Sequence, residues 1–214
     1  GNGIRCLVKF LAENNNITIN ETLLIHTLAG PIYAKFQTDS RISVDMGPPC
    51  FNPYAIPTKF KANSLGIPEG LIYLDGLEMK GWAIGMGNPH VVLLVENLQN
   101  IKLNKWGKLL ESNKNFPAKT NVHFVQIVSD TILDLKVWER GCGATLACGT
   151  GACAAAVITN TLGLCSSNVI VNLPGGKLEI QWPNKHSNVQ MIGPAKKIFN
   201  GHIDLDYQNI GTYK

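Results

Sequence analysis

The feature that most constrains this chain is a glycine-rich turn between a strand-like and a helix-like segment, at residues 138–156. Its letters are WERGCGATLACGTGACAAA. Gly149 and Gly151 let the backbone turn tightly with its N–H groups pointing outward. Residues 152–162 then predict a helix that ends at Gly163. We therefore expect a strand, a tight turn and a helix to follow one another here.

The start of this helix has a chemical consequence for Cys148. Unpaired N–H groups and the positive end of the helix dipole favour a bound anion such as a carboxylate. The same field lowers the pKa of a neighbouring thiol. Cys148 is thus predicted to be a thiolate beside a bound carboxylate. The alternative interpretation is a buried structural cysteine, since free cysteine is among the most buried residue types.

The first residues of the chain repeat this turn. Residues 1–6 read GNGIRC and precede a helix-like segment at 7–14, as Gly149-Thr150-Gly151 precedes its own helix. If the copy is complete, a cysteine precedes Gly1, so we expect the chain to be cut at its amino end. Two facing cysteines would remove a proton from one face of a carbon and return one to the other. That chemistry is racemisation or epimerisation, and it needs a dry site with dipoles aimed at the developing charge.

Four segments resemble one known family. They are residues 139–152, the Gly-Asn-Pro-His sequence at 87–90, the Lys-Thr-Asn-Val-His-Phe-Val sequence at 119–125, and the opening residues 1–6. In this order, and over nearly the whole chain, they resemble the diaminopimelate epimerases. One motif alone would leave proline racemases and phenazine-biosynthesis-type isomerases open.

The resemblance implies interconversion of LL- and meso-diaminopimelate, a step of lysine and peptidoglycan precursor biosynthesis. No cofactor is implied, neither pyridoxal phosphate nor a metal, because one cysteine acts as base and the other as acid. Cys148 would be the second of the pair, His90 would orient or polarise the thiols, and Glu139 would take the ammonium at the reacting centre. Taken alone, His90 is more typical of a polar group at the end of a strand than of a catalyst. The adjacent Glu139 and Arg140, taken alone, are more typical of a solvated charge pair.

The resemblance also implies two sets of substrate-binding residues. Backbone N–H groups from both helix starts would hold the reacting carboxylate: Gly1 and Asn2 on one side, Gly149 and Thr150 on the other. The distal amino-acid end would be held by three side chains: Asn88, Asn121 and Arg140. Arginine suits a planar carboxylate through its two-pronged donor geometry. Without the family pattern, Asn88-Pro89 is a common turn dipeptide and Asn121 carries no signal.

The pattern along the chain is mostly short strands with two to four helices, which predicts an α+β fold rather than a regular βαβ alternation. Strands are expected at 22–28, 32–37, 42–46, 81–86, 91–95, 122–128, 132–139, 169–173, 177–182, 189–192 and 195–203, with an amphipathic helix at 103–111. The family implies two pseudo-symmetric domains, each a curved, mostly antiparallel sheet around a central helix. Residues 1–48 would be the surviving part of an incomplete first domain, 49–203 the second domain, and 204–214 a tail returning to the first. The proline-rich stretch at 47–53 suits a crossing between them.

Composition narrows the class of protein. Six cysteines among 214 residues with 45% hydrophobic content allow a full core without disulfides. The spacings of Cys142, Cys148 and Cys153 match no usual paired metal-ligand pattern. The charge of +4 is spread singly, which argues against a nucleic-acid partner, and no apolar run reaches the roughly 20 residues of a membrane helix. A cytoplasmic, soluble enzyme with a small-molecule substrate is expected, and a homodimer stays open.

A second function class stays open beside the enzyme. If Gly1 is the true first residue, only one thiol is present and nothing returns the proton on the other face. The chain would then be a non-enzymatic remnant or a weak ligand-binding half-site. For the same reason, this chain alone is expected to be inactive.

Overall fold

The computed structural model describes residues 1–14, 17–28 and 30–202. The helices in these ranges are α1 (Asn2–Glu13), α2 (Leu103–Glu111) and α3 (Gly149–Thr161), with a short 3-10 helix at Leu98–Asn100. The strands are β1 (Thr22–Thr27), β2 (Gly30–Phe36), β3 (Ile42–Asp45), β4 (Lys61–Ala62), β5 (Pro68–Leu74), β6 (Leu77–Gly85), β7 (Pro89–Leu94), β8 (Asn121–Ser129), β9 (Ile132–Glu139), β10 (Gly143–Thr145), β11 (Asn168–Leu173), β12 (Gly176–Gln181) and β13 (Gln190–Gly193).

The described strands form one mixed sheet in the order β1-β2-β3-β13-β12-β11-β9-β8-β7-β6-β5-β4, with β10 paired to β9 outside this path. Two neighbouring pairs are parallel, β7 with β8 and β9 with β11, whereas the other pairs are antiparallel. A parallel pair needs a long crossover, and here α2 and α3 provide the two crossovers. The predicted α+β class is confirmed.

Helix α3 lies at the centre of the fold. Its sequence, GTGACAAAVITNT, is apolar on every side, and such a helix is stable only when it is surrounded. Ten of its thirteen residues are buried, and it packs against β6, β7, β8, β9, β11 and β12. Small side chains such as Ala154 and Ala155 allow this close approach of sheet and helix. The position of the residues at its start is therefore fixed from several directions.

Helix α1 is amphipathic and packs against β2 and β3, and its residues Arg5 and Val8 are buried. Val8 belongs to the same apolar cluster as α3 and strands β11 to β13. A second cluster, formed around Trp106, Leu110 and Phe124, lies beneath α2. Because β3 pairs directly with β13, the sheet continues across the predicted domain boundary at residue 48. The division into two domains stays a prediction.

The predicted elements agree with the structure in most places. Helix 103–111 has the predicted bounds, and the predicted antiparallel pairings of β1 with β2 and of β11 with β12 are present. The strand predicted at 195–203 is wrong, because residues 194–202 form no strand. Both edges of β13 are already paired, to β12 and to β3, so no edge is left for that segment. Strands β4, β5 and β10 were not predicted, and residue 203 with the tail 204–214 lies outside the described residues.

Candidate active site

The starts of α1 and α3 lie next to each other. A Cβ atom added to Gly1 would lie 2.7 Å from Met191 Cε, and one added to Gly149 would lie 2.8 Å from Met191 Sδ and 3.7 Å from Asn2 Oδ1. Neither helix start has a side-chain cap. Their first N–H groups are therefore available to a ligand, and two positive dipole ends converge on one region. The structure brings together Gly1, Asn2, Gly149 and Thr150, as the resemblance implies.

Cys148 is the residue immediately before α3, and it is only 4% exposed. Its Sγ lies 3.5 Å from Thr150 Oγ1. The pKa of the Cys148 thiol is raised to about 11, with burial as the main cause. The hydrogen bonds of the Thr150 hydroxyl and the Gly151 amide act in the opposite direction, and the Glu139 carboxylate adds to the rise. The predicted lowering of this pKa is wrong, because the loss of water around the sulfur outweighs the helix field. In this site Cys148 holds its proton at neutral pH.

Glu139 and Arg140 form the end of β9 and the turn after it. Strand β10 folds back on β9 so that the Thr145 hydroxyl donates to Glu139 Oε1 at 2.6 Å. Glu139 is half-buried and close enough to Cys148 to raise its pKa. Arg140 is exposed, and its Nη1 donates to the carbonyl of Ala118 at 3.0 Å. The Glu139 carboxylate and the Arg140 guanidinium therefore contact different groups, Thr145 and the Ala118 carbonyl, and do not form an ion pair with each other.

Asn121 joins two of the predicted motifs. Its Nδ2 donates to the Pro89 carbonyl at 2.8 Å, and its Oδ1 accepts from the Arg140 N–H at 3.0 Å. One buried amide thus ties the Asn-Pro-His turn to the Glu-Arg-Gly turn. A direct contact of Asn121 with a substrate stays a prediction, since its described hydrogen bonds go to backbone groups.

Asn88, His90 and His123 form a hydrogen-bonded row. His90 Nε2 lies 2.7 Å from Asn88 Oδ1, and His90 Nδ1 lies 2.8 Å from His123 Nε2. Both imidazoles are fully buried. Burial, and next the neighbouring His123 and Arg140, hold the pKa of His90 well below its ordinary value. His90 therefore meets an amide and a second imidazole, and its predicted influence on the thiols stays a prediction.

Sequence reasoning missed the role of His123. Its ring packs against the first turn of α3, where a Cβ on Gly151 would lie 2.2 Å from His123 Cε1 and 2.7 Å from Nδ1. Burial lowers the pKa of His123 to about 3. The available signal was the alternation of Asn121 and His123 with apolar residues at the start of β8, which places both polar side chains on one face.

Sequence reasoning also missed Glu111, at the end of α2. Its Oε2 accepts from Trp138 Nε1 at 2.8 Å, and its Oε1 accepts from the Gly141 N–H at 3.1 Å and lies 3.5 Å from Lys119 Nζ. The hydrogen bond from Trp138 is the main cause that lowers the pKa of Glu111. This carboxylate fastens the turn after Glu139 to α2. The signal was a carboxylate on the apolar face of an amphipathic helix.

The part of the chain that the structure describes contains neither a metal-binding cluster nor a membrane-spanning helix. Within residues 1–14, 17–28 and 30–202, no three His, Cys, Asp or Glu side chains are grouped so as to hold a metal ion. In the same part of the chain, no helix has both the length and the apolar character to cross a membrane.

Solved structures define the class to which this fold belongs. A probable proline racemase from Agrobacterium radiobacter K84 matches with a TM-score of 0.68 at 14% identity, over 96% of this chain and 68% of that one. A hydroxyproline epimerase from Agrobacterium vitis matches with a TM-score of 0.65 at 16% identity, over 90% of this chain and 62% of that one. The chain therefore shares its fold with this probable proline racemase and this hydroxyproline epimerase.

The sequence comparisons narrow the class to one family. The sequence pattern described as "Diaminopimelate epimerase" matches residues 82–198. A diaminopimelate epimerase from Prochlorococcus marinus (strain NATL1A) is 48% identical over 205 residues, which cover 96% of this chain and 72% of that protein. One from Microcystis aeruginosa is 42% identical over 203 residues, 94% of this chain and 72% of that protein. The chain belongs to the diaminopimelate epimerase family, which confirms the resemblance of its motifs.

Proposed function

We propose that this chain forms the site of an isomerase that epimerises LL-diaminopimelate to meso-diaminopimelate without a cofactor. The observation that carries the proposal is the meeting of two uncapped helix starts, at Gly1 and Gly149, beside the buried thiol of Cys148. The names of the relatives support the choice of substrate. The reaction would serve lysine and peptidoglycan precursor biosynthesis in the cytoplasm.

The converging N–H groups suit the carboxylate of the reacting amino-acid centre. Loss of the Cα proton moves negative charge onto the carboxylate oxygens, and donors already aimed at those oxygens stabilise the transition state. Burial around Cys148 and the start of α3 excludes water, which strengthens these interactions. The site can therefore acidify a weak carbon acid with its own backbone.

Cys148 supplies the proton on the α3 side. As a thiol at neutral pH it donates its proton to the carbanion, and the thiolate that results is next to Thr150 and the helix start. In the reverse direction this thiolate takes the proton back. The opposite face needs a second acid or base on the α1 side.

Glu139 would bind the ammonium group of the reacting centre. A charge-assisted hydrogen bond to this carboxylate fixes the substrate beside Cys148. It also offsets the negative charge of Glu139, one of the causes that raise the pKa of the thiol. Substrate binding would thereby make the Cys148 thiolate easier to form.

The other end of the substrate would meet Asn88, Asn121 and Arg140. The backbones that carry these residues are held together by the hydrogen bonds of Asn121. The exposed guanidinium of Arg140 can take a planar carboxylate through two parallel hydrogen bonds. A homodimer and the division into two domains remain part of the proposal. Light scattering coupled to gel filtration measures the oligomeric state.

Hydrogen exchange at the substrate's Cα atoms tests the function. Protein from its native source, with its intact mass recorded, is mixed with LL-diaminopimelate in heavy water and followed by proton NMR. We expect deuterium at one Cα and formation of the meso isomer. Deuterium uptake without a change of configuration would instead indicate a half-site with one working thiol.

Two cysteine variants assign the thiol. Cys148→Ala should abolish both exchange and isomerisation. Cys165→Ala is the matched control, because Cys165 is also buried but donates to the Ser129 carbonyl at 3.8 Å, beyond the far end of α3. It should keep both activities. Epimerisation that persists in Cys148→Ala would overturn the assignment.

A further inference from the structure

We propose that His123 is a positioning residue that acts through His90 to fix the side-chain amide of Asn88, so that its NH₂ group faces the substrate's distal carboxylate. The identity of the ligand rests on the proposed function. The direction of the hydrogen bonds does not, because it follows from contacts within the chain.

The row of hydrogen bonds has only two self-consistent directions while both imidazoles are neutral. A neutral imidazole has one N–H and one acceptor nitrogen. In the first direction, His123 Nε2 donates to His90 Nδ1, and His90 Nε2 donates to Asn88 Oδ1. In the second direction, every donor and acceptor is exchanged, and the Asn88 amide is turned over.

The far end of the row selects the first direction. His123 Nδ1 is buried and has no hydrogen-bond partner, and it lies against Gly151 in the first turn of α3. The first direction leaves a lone pair on this nitrogen, facing the positive end of the helix. The second would bury an unsatisfied N–H among the outward-pointing N–H groups of that turn. The helix field favours the lone pair there.

Both imidazoles must be neutral for the row to transmit this choice. A doubly protonated His90 would donate from both nitrogens, so His123 Nε2 would have to accept and the His123 proton would move to Nδ1. Full burial disfavours that charge, and the depressed pKa values of His90 and His123 agree with it. The direction of the hydrogen bonds is therefore kept near neutral pH.

The direction of these hydrogen bonds determines how the side-chain amide of the half-buried Asn88 is oriented. Its Oδ1 is used by His90, so the NH₂ group is the part of the amide left for a ligand. An ionised carboxylate accepts hydrogen bonds and cannot donate them. The row thus prepares Asn88 for a carboxylate and opposes a ligand that presents an ammonium group at this point.

The first test reads the protonated nitrogens directly. Long-range proton–nitrogen NMR correlations of the ¹⁵N-labelled chain at pH 7 distinguish Nδ1 from Nε2, and His123→Phe assigns the affected signals. We expect both rings to carry the proton on Nε2. A proton on His90 Nδ1, or two protons on either ring, would overturn the proposal. This measurement does not depend on activity.

The second test separates positioning from general damage. His123→Phe keeps a ring but removes the donor, whereas His123→Gln places an amide N–H where Nε2 was. With diaminopimelate as substrate, we expect His123→Phe to raise KM about tenfold to a hundredfold, the loss typical of a hydrogen bond to a charged group. Its kcat should stay within a factor of about three, because the reacting centre is not involved. His123→Gln should restore KM.

The outcomes distinguish this inference from the proposed function. A wild-type protein that does not epimerise diaminopimelate but carries both protons on Nε2 contradicts the function and supports the hydrogen-bond direction. An active protein in which His123→Phe and His123→Gln lower kcat equally, with KM unchanged, contradicts the positioning role. If His123→Phe fails to fold, the NMR experiment and His123→Gln still decide.

Discussion

Alkylation of Cys148 should be slow and should retain its pH dependence far above neutrality. Burial raises the pKa of this thiol from the ordinary 9.0 to about 11, and two units lower the thiolate population at pH 8 about a hundredfold. The more basic thiolate is also more nucleophilic, which returns about a factor of ten. The net rate with iodoacetamide should therefore be about tenfold lower than that of an ordinary thiol, before any loss from poor access.

Two substitutions next to the sulfur should change this rate in opposite directions. Glu139→Gln removes a charge that raises the pKa of Cys148, so alkylation should become faster. Once the lower nucleophilicity of the less basic thiolate is counted, the gain is about threefold for each unit by which the pKa falls. Thr150→Val keeps the shape but removes a hydrogen bond that lowers the pKa, so alkylation should become slower. A general loosening of the site would accelerate both variants and is distinguished in this way.

The assay measures each cysteine separately. Protein is treated with iodoacetamide at several values between pH 7 and 10, quenched, digested and read by mass spectrometry. Cys6 and Cys142 are exposed and serve as internal references. The rate for Cys148 should still be rising at pH 10. A plateau below pH 9, or slower alkylation in Glu139→Gln, would refute the argument that burial dominates the helix field.

Three further predictions concern stability. Gly151→Ala places a Cβ 2.2 Å from His123 Cε1, and the overpacking of about 1–3 kcal/mol should exceed the gain in helix propensity of at most about 1 kcal/mol, so Tm should fall. Gly3→Ala is the control, because Gly3 has open space in the first turn of α1, and it should not lower Tm. Equal Tm values for both variants would contradict this prediction. Gly107→Ala places a Cβ 2.6 Å from the Trp138 ring and should lower Tm and alter tryptophan emission, so an unchanged spectrum would count against the contact. Burial lowers the pKa of His123 from 6.5 to about 3; the unfolded chain therefore binds more protons in that window, and stability present above pH 6.5 is lost as pH falls towards 3. Urea midpoints measured from pH 7 to pH 4 should fall less steeply in His123→Gln, and an identical slope in both proteins would oppose this assignment.

Local sequence patterns predicted most of the fold. The amphipathic spacing of α2 and the turn residues of the hairpins depend on neighbours in sequence, so they could be predicted correctly. The pairing of β3 with β13 could not, because it joins distant segments whose apolar patterns would suit many partners. The short strands β4 and β10 carry too few residues for a periodic signal. The strand predicted beyond residue 194 failed because no free sheet edge exists there.

The site was predictable as a set of residue types but not as a set of contacts. The glycine-rich turn predicted an anion site at Gly149 and a functional thiol at Cys148. The helices beside it begin earlier than predicted, at Asn2 rather than residue 7 and at Gly149 rather than residue 152. The pKa of that thiol depends on burial by residues that are distant in sequence, so the local pattern predicted a lowered pKa where the structure raises it. His123 and Glu111 were missed for the same reason, since their partners come from other elements.

The pairing of β3 with β13 has a consequence for how this protein is made. The Ser43 hydroxyl donates to Gln190 Oε1 at 3.3 Å across 147 positions of sequence, so helix α1 and the first three strands leave the ribosome long before their sheet neighbour exists. Contacts between residues so distant in sequence slow folding. Until β13 is present, the edge of β3 is unpaired and can pair with other chains. We therefore expect the amino-terminal elements to complete their folding last, and newly made chains to depend on chaperones until β13 has been synthesised.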